Sequence, residues 1–382
     1  MNILHISPYV PDVRASHAGG VCSGKQVETL KKNNNVYVIT FVNDDYEMSL
    51  IKDHPDYKYV KTSKLYYIIK VLAHMGLPNM FALRKDRKFK KMICETIERE
   101  YIDIVHAEFT AMGQYTWLKK KYPNIRFHLA EHDVAIQSYE RQVKEAKGLK
   151  KIYALVECHK VRKCENRYIK LADLVFTFNE KDGKLLREKY GANNVKVINP
   201  YYGLDFENHE SNIKKEKTIC FVGQMGRDEN HVAAMRLIKI FKELQTKDWK
   251  LNIIGAHPKK ELQQQESENI HITGFVDDIN AEIEKNEIAV FPLTYGAGIK
   301  LKVLLAFGLG LPVVTSHVGA EGIDAEGNVI LLAETDEEFK KQMKKLMEDD
   351  LYRSNKSKES IAFVKDRFSW SETEKIFDEV YR

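Results

Sequence analysis

Residues 291–314, "FPLTYGAGIKLKVLLAFGLGLPVV", group side chains suited to holding a phosphate. An apolar run ends, Gly296 and Gly298 follow two positions apart, and Lys300 and Lys302 fall in the first turn of a helix predicted from about Ile299. Glycines admit backbone dihedrals that other residues resist and let N–H groups come close to an anion. A helix N-terminus adds partial positive charge. Cations in a first turn oppose that charge, at a few tenths to about 1 kcal/mol each. An anionic ligand would remove the penalty. The chemistry predicted here is electrostatic: grip of a phosphate and stabilisation of charge growing on it. A plain strand-to-helix turn with solvated lysines is the other reading of the same residues.

Further candidates sit at similar strand ends. "SHAGGVCSG" (16–24) follows the first apolar run and precedes a helix at "KQVETLKK"; Gly19 and Gly20 would let backbone amides close on a reacting centre. "LAEHDV" (129–134) ends a strand with His132. The turn 223–230 offers Arg227, and "ITGFVDD" (272–278) offers Gly274, Phe275 and Val276. No carboxylate pair has the spacing of a glycoside hydrolase. Five cysteines, at 22, 94, 158, 164 and 220, form no Cys-x-x-Cys pair, which argues against a disulfide framework and against zinc. No Asp-x-Asp pair occurs, and no metal is expected.

The elements that must position these residues alternate along 382 positions, a length that suggests two domains. Strands are predicted at 2–7, 35–42, 102–108, 126–132, 174–179 and 195–199, several as near-continuous apolar runs of the kind that parallel sheets bury on both faces. Residues 58–100 and 135–172 read as long helical insertions, the second basic and amphipathic. A polar, turn-rich stretch at 200–217 reads as a linker. The rhythm restarts with strands at 218–223, 250–255, 270–275, 288–293, 311–316 and 328–332. Two successive βα series predict two doubly wound α/β domains, with ligands beyond the carboxyl ends of the strands. The expected division is 1–199, a linker at 200–217 and 218–366, with a helical tail at 367–382 crossing back onto the first domain.

The net charge of +5 is too small to argue for nucleic acid. Its distribution says more: residues 58–91 hold ten Lys or Arg and one acid, Asp86, interleaved with aromatics. Lys64, Arg84, Lys85, Arg87 and Lys88 are read as a surface for anionic headgroups or an acceptor, with a solvated face as the alternative. The N-terminus reads as a first strand and not a signal peptide, no apolar run is long enough for a bilayer span, and a cytoplasmic location is expected, with peripheral contact at the inner face of the membrane.

The segment 291–323, with Gly-x-Gly-Ile-Lys-x-Lys, Gly-Leu-Pro-Val-Val and Gly-Ala-Glu-Gly in order, resembles glycosyltransferase family 4. Those are retaining nucleotide-sugar transferases of GT-B architecture, two Rossmann-like domains facing each other across a cleft. The resemblance implies that Gly296, Gly298, Ile299, Lys300 and Lys302 hold the donor's diphosphate and ribose, with Lys300 the diphosphate contact and Glu321 nearby. It implies that Gly19 and Gly20 lie against phosphate and acceptor, and that His132 lies at the reaction face. Arg227 would touch phosphate, and 274–276 the base. The two glutamates usual in the family fall at Ala297 and Leu305 here. No metal or other cofactor is implied. The implied reaction moves a sugar from a nucleoside diphosphate sugar to an acceptor hydroxyl with retention, the acceptor being a lipid-linked saccharide in cell-surface polysaccharide assembly. Leu305 keeps open a catalytically silent GT-B subunit that binds a partner transferase or acceptor. A nucleotide-sugar epimerase or phosphorylase on the same architecture is a further alternative; an epimerase would need acid/base carboxylates in the cleft, and none is assigned.

Overall fold

The computed structural model describes every residue except 208, 210–212 and 295–298, and the backbone alone of Glu145. The chain divides into two units, residues 1–203 with 370–382, and residues 204–369.

In the first unit, β1 (Asn2–Ser7), β2 (Asn35–Val42), β3 (Lys58–Lys61), β4 (Ile104–Glu108), β5 (Arg126–Glu131), β6 (Leu174–Thr177) and β7 (Val195–Val197) form one sheet, ordered β3-β2-β1-β4-β5-β6-β7. Every pairing among them is parallel, with Ile3 opposite Val36 and Ile104. Ile3, Leu4 and Ile6 are fully buried although they alternate in direction, so both faces of β1 are covered. Phe41 of β2 stacks on Phe89 beneath the sheet, with ring centroids 4.4 Å apart.

In the second unit, β8 (Glu216–Val222), β9 (Lys250–Ile254), β10 (Ile270–Gly274), β11 (Asn286–Phe291), β12 (Val313–Thr315) and β13 (Leu331–Leu332) are ordered β10-β9-β8-β11-β12-β13. Both sheets therefore run outward from their first strand and then reverse, the Rossmann order, which leaves a switch point between β1 and β4 and another between β8 and β11.

Three expectations change. Residues 58–61 are an edge strand and not the start of a helical insertion. β2 supplies its backbone partners and Val60 its buried anchor, so tertiary pairing decides a four-residue stretch with no strong period of its own. Residues 135–172 form two helices, Ala135–Glu145 and Gly148–Leu171, parted at Gly148 with φ of +56°. The first helix begins at Ala18, seven residues before the predicted start, so Gly19 and Gly20 are helical and not loop. His17 caps that helix, its Nδ1 accepting from Gly20 N at 3.0 Å.

The polar run 200–217 is shared out. Tyr202 is buried in the first unit, while in the second Phe206 packs on Gly308, and a Cβ there would come within 2.2 Å of its ring. The helix Trp370–Val380 packs on the first unit: Trp370 Nε1 donates to Thr29 Oγ1 at 3.0 Å and Thr373 Oγ1 to Asn199 O at 2.8 Å.

Candidate functional site

The second unit gathers cationic side chains at its switch point. Gly223 follows the end of β8 and Gly255 the end of β9; at Gly255 φ is +143° and a Cβ would strike Gly223 O at 1.8 Å. Only glycine permits this closeness. A Cβ on Gly223 would in turn meet Asn230 Cγ at 2.8 Å, so the first turn of the helix Asp228–Leu244 lies directly on the strand end. Asn230 Nδ2 donates to Gln224 O at 2.9 Å, which fixes the amide, and its Oδ1 accepts from Lys302 Nζ. The Lys302 ammonium also lies over the Phe221 ring, 5.1 Å from its centroid. Burial pushes Lys302 down to about 8, partly countered by Glu229. Lys300 caps the helix Leu301–Gly308 by its backbone, and burial lowers its ammonium too, against the pull of Glu321 at 3.9 Å. The helix thus begins two residues later than predicted, so that Lys302 lies in its first turn while Lys300 precedes it. Ile299 is wedged by the loop that carries Glu321, since a Cβ on Gly322 would come within 2.8 Å of Ile299 Cγ1.

Arg227 stands just before the helix Asp228–Leu244, largely exposed, with Nε donating to Gln224 Oε1 at 3.1 Å. Its charge acts on Lys302. Ile299, Lys300, Lys302, Glu321 and Arg227 are therefore brought together. Gly296 and Gly298 lie outside the described residues. Gly274, at φ +69°, with exposed Phe275 and half-buried Val276, closes β10, two strands away from β8. Leu305 is buried on the core side of its helix, so the position at which the family usually carries its second glutamate is apolar. Asn230 was missed by sequence reasoning; a polar side chain seven residues beyond a strand-end glycine was the available signal.

The first unit builds a different site at its own switch point. His132, just past β5, sets Nε2 2.5 Å from Glu108 Oε2 and stacks on Phe109, with centroids 3.8 Å apart and planes within 6°. Phe109 has φ of +67° and ψ of 147°, a region nearly restricted to glycine, so the surrounding packing holds a strained residue in place. Its ring also abuts Gly19, where a Cβ would come within 2.5 Å. Gly19 thus makes room for Phe109. Gly20 does not offer a free amide as predicted, because its N–H is spent on His17.

Glu108 is fully buried and accepts from three histidines: His5 Nε2 at 3.2 Å, His106 Nε2 at 2.9 Å and His132 Nε2. Burial alone would raise its carboxyl; the bonds from His106, His132 and His5 outweigh burial and hold it well below the usual range. An ionised carboxylate only accepts, so each facing nitrogen carries the proton. His106 Nδ1 must then accept, and its partner is the hydroxyl of Tyr381, fully buried near the C-terminus. The same logic leaves His132 Nδ1 as an acceptor. His5, His106 and Glu108 present atoms within 4.8 Å of one another, a spacing that could hold a metal ion; here those atoms bond to each other. Glu108, Phe109 and Tyr381 went unnoticed in the sequence. A carboxylate closing the apolar run "IVHA" was the one visible signal.

Arg84 corrects another expectation. It is 7% exposed, donates Nη1 to Asn43 Oδ1 at 2.8 Å, and lies over Tyr9 and Phe41. It is an interior cation and not part of a solvated face. Lys64, Lys85, Arg87 and Lys88 are exposed.

Residues 216–349 match the family model "Glycosyl transferases group 1". Among curated proteins, an uncharacterized glycosyltransferase of Methanocaldococcus jannaschii is 25% identical over 235 residues, covering 56% of this chain and 59% of that protein. The O-antigen biosynthesis glycosyltransferase WbnH of Escherichia coli is 24% identical over 227 residues, covering 58% and 62%. The chain thus spans about three-fifths of the length of the curated relatives it matches. Anabaena HepE, solved in complex with UDP, superposes with a TM-score of 0.68 at 13% identity, covering 100% of this chain and 99% of that one. Sucrose-phosphate synthase from Thermosynechococcus elongatus gives 0.66 at 13% identity, covering 100% and 98%. The two Rossmann-type units are those of the GT-B fold.

Proposed function

We propose, from a GT-B chain whose residues 216–349 match the glycosyl transferases group 1, that this protein is a retaining glycosyltransferase. It takes a sugar from a nucleoside diphosphate sugar to an acceptor hydroxyl. The observation that carries the reading is the pair of poorly solvated ammonium groups, Lys300 and Lys302, at the switch point of the matched unit. A diphosphate would add to the counter-charge that Glu229 gives Lys302, whose hydrogen-bonded partner, Asn230, is neutral.

In this reading the bond from the anomeric carbon to the β-phosphate oxygen breaks, and the acceptor oxygen bonds to the same face of that carbon. The acceptor's proton passes to the departing phosphate. Lys300 and Lys302 stabilise the charge that grows on it, with Glu321 and Ile299 shaping the wall. His132 Nδ1 accepts from a sugar hydroxyl and orients the transferring ring. Fixed ammonium groups do the neutralising, so no metal or cofactor is assigned. HepE's complex with UDP makes uridine the first base to test, and the O-antigen relative supports a saccharide acceptor, which we assign as lipid-linked, in cell-surface polysaccharide assembly at the inner face of the membrane.

Thermal shift against UDP, GDP, ADP and their glucose conjugates tests donor binding. A nucleotide present at a hundred times its dissociation constant stabilises by about 2.7 kcal/mol. A flat panel would defeat the proposal. Buried Leu305 favours a second reading, a silent subunit that binds without turnover. Slow hydrolysis of the donor, with product released in the retained configuration, separates the two.

The sign of the pH dependence follows from Lys302. An ammonium near 8 is charged below that pH and neutral above it. Dissociation constants for the nucleotide are expected to rise steadily from pH 7 to pH 9.5, and the rise should vanish in Lys302→Arg. Isothermal titration at several pH values reads this directly.

A further inference from the structure

The helix Lys64–Ala73 is mounted with its apolar side outward. Tyr67 on its inner side donates to Asn43 Oδ1 at 2.7 Å, and Lys70 pairs with Asp86 at 2.6 Å. Tyr66 packs on the core there. Leu65, Ile68, Ile69 and Leu72, spaced as one helical face, all point to solvent; Leu65 is 65% exposed. No residue of this helix is buried. A surface helix of a globular protein normally does the reverse.

A second helix repeats the pattern. In Gly148–Leu171, the face made by Ala154, Glu157, Cys158 and Val161 is buried, and the opposite face presents Leu149, Ile152, Tyr153 and Val156, with Leu149 84% exposed. The two stripes adjoin. Lys160 Nζ donates to Met75 O at 2.7 Å, and Asn79 bonds through Nδ2 to Tyr153 OH at 2.6 Å and through N to Glu157 Oε2 at 2.9 Å. Met75, just past the first helix, is exposed as well.

Charge identifies the occupant. Lys64 precedes the first stripe, and Lys147, Lys150 and Lys151 flank the second. Neither 64–73 nor 146–156 contains an acid. Lysines can lay their stems on apolar surface while the ammonium reaches polar headgroups, and tyrosine suits the same boundary. Among the described residues no helix is long and apolar enough to cross a membrane.

We propose that these two helices form one docking face that inserts its leucines and isoleucines into a bilayer containing anionic lipid, with the four lysines at headgroup level. Such docking would serve the lipid-linked acceptor and rests on that reading for its purpose. Vesicle binding is measured without donor or acceptor, so it stands or falls separately from sugar transfer.

The full chain is floated with vesicles of phosphatidylcholine, with and without phosphatidylglycerol. Binding is expected only with the anionic lipid, and should weaken as salt rises. Combined Leu65→Ser, Ile68→Ser and Leu72→Ser, or Leu149→Ser and Ile152→Ser, should each weaken partition by about tenfold or more, with thermal melting unchanged because the residues are exposed. Lys150→Glu with Lys151→Glu should abolish the preference for anionic lipid. The indole introduced by Leu72→Trp should shift its emission to the blue and be quenched by brominated acyl chains on binding. Three outcomes would each overturn docking: no binding to anionic vesicles, binding indifferent to the serine variants, or indole emission in the Leu72→Trp variant that brominated chains leave unquenched. Sedimentation showing a dimer that the serine variants dissociate would assign the face to a second copy and overturn it equally.

Discussion

Lys300→Ala is expected to lower kcat/KM by about 10²–10³-fold, the range found when one preorganised donor facing a developing oxyanion is removed. Its ammonium is held in a poorly solvated position, where its interaction with a phosphate is stronger than in water. Lys302→Ala should match it, and here packing must be separated from charge. Lys302 fills space over Phe221 and bonds Asn230, so alanine leaves both a gap and an orphaned amide oxygen. Lys302→Met keeps the stem and removes the charge. If Lys302→Met loses as much turnover as Lys302→Ala while melting near the parent, charge is the cause. Arg227→Ala supplies the contrast: its side chain is largely exposed, and its loss should be far smaller. Steady-state rates with the nucleotide sugar found by thermal shift decide the matter. A folded Lys300→Ala with near-parental turnover would remove these cations from the mechanism.

The second large effect is expected at His132. His132→Ala should cost about 10²–10⁴-fold in kcat, as for a positioned side chain lost from a reacting centre. Glu108→Gln should reproduce much of that loss without touching the ligand. A glutamine amide both donates and accepts, so it cannot receive three histidine N–H groups, and the His132 ring loses its fixed tautomer. That variant also disturbs a fully buried charge, and removing one partner of such a cluster costs about 3–5 kcal/mol. Tyr381→Phe is the gentler probe. It deletes one hydroxyl at the far end of the chain Tyr381–His106–Glu108–His132, leaving His106 Nδ1 unpaired at about 1–3 kcal/mol. Positioning predicts lower kcat with KM little changed and a displaced pH profile. A purely structural role predicts lower melting and parental kinetics.

Much of this was legible in the sequence. Twelve strands were readable because doubly covered parallel strands need continuous apolar runs, and the turn proposed to hold a phosphate stood out because its glycines and lysines lie within seven residues. Edge strand β3 was not, since four residues carry too little period to compete with a helical neighbourhood. The start of the first helix was missed because glycines at 19 and 20 suggest a loop, whereas His17 and the Phe109 ring make glycine necessary inside the helix.

The Glu108 network lay beyond any local reading. Its members at 5, 106, 108, 132 and 381 meet only because β1, β4 and β5 are neighbours and the terminal helix packs beside them. Periodicity finds an apolar helical face but does not say which way it points. The stripe at 65, 68, 69 and 72 reads as core in one dimension. Tyr67 and Lys70, tied to Asn43 and Asp86 on the body of the unit, turn it to solvent. The sequence alone determined the two α/β units and singled out the lysine pair at 300 and 302, because local spacing suffices for both. Tertiary structure decided which histidine is held, which arginine is interior and which apolar face is left bare, because each depends on partners distant in the chain.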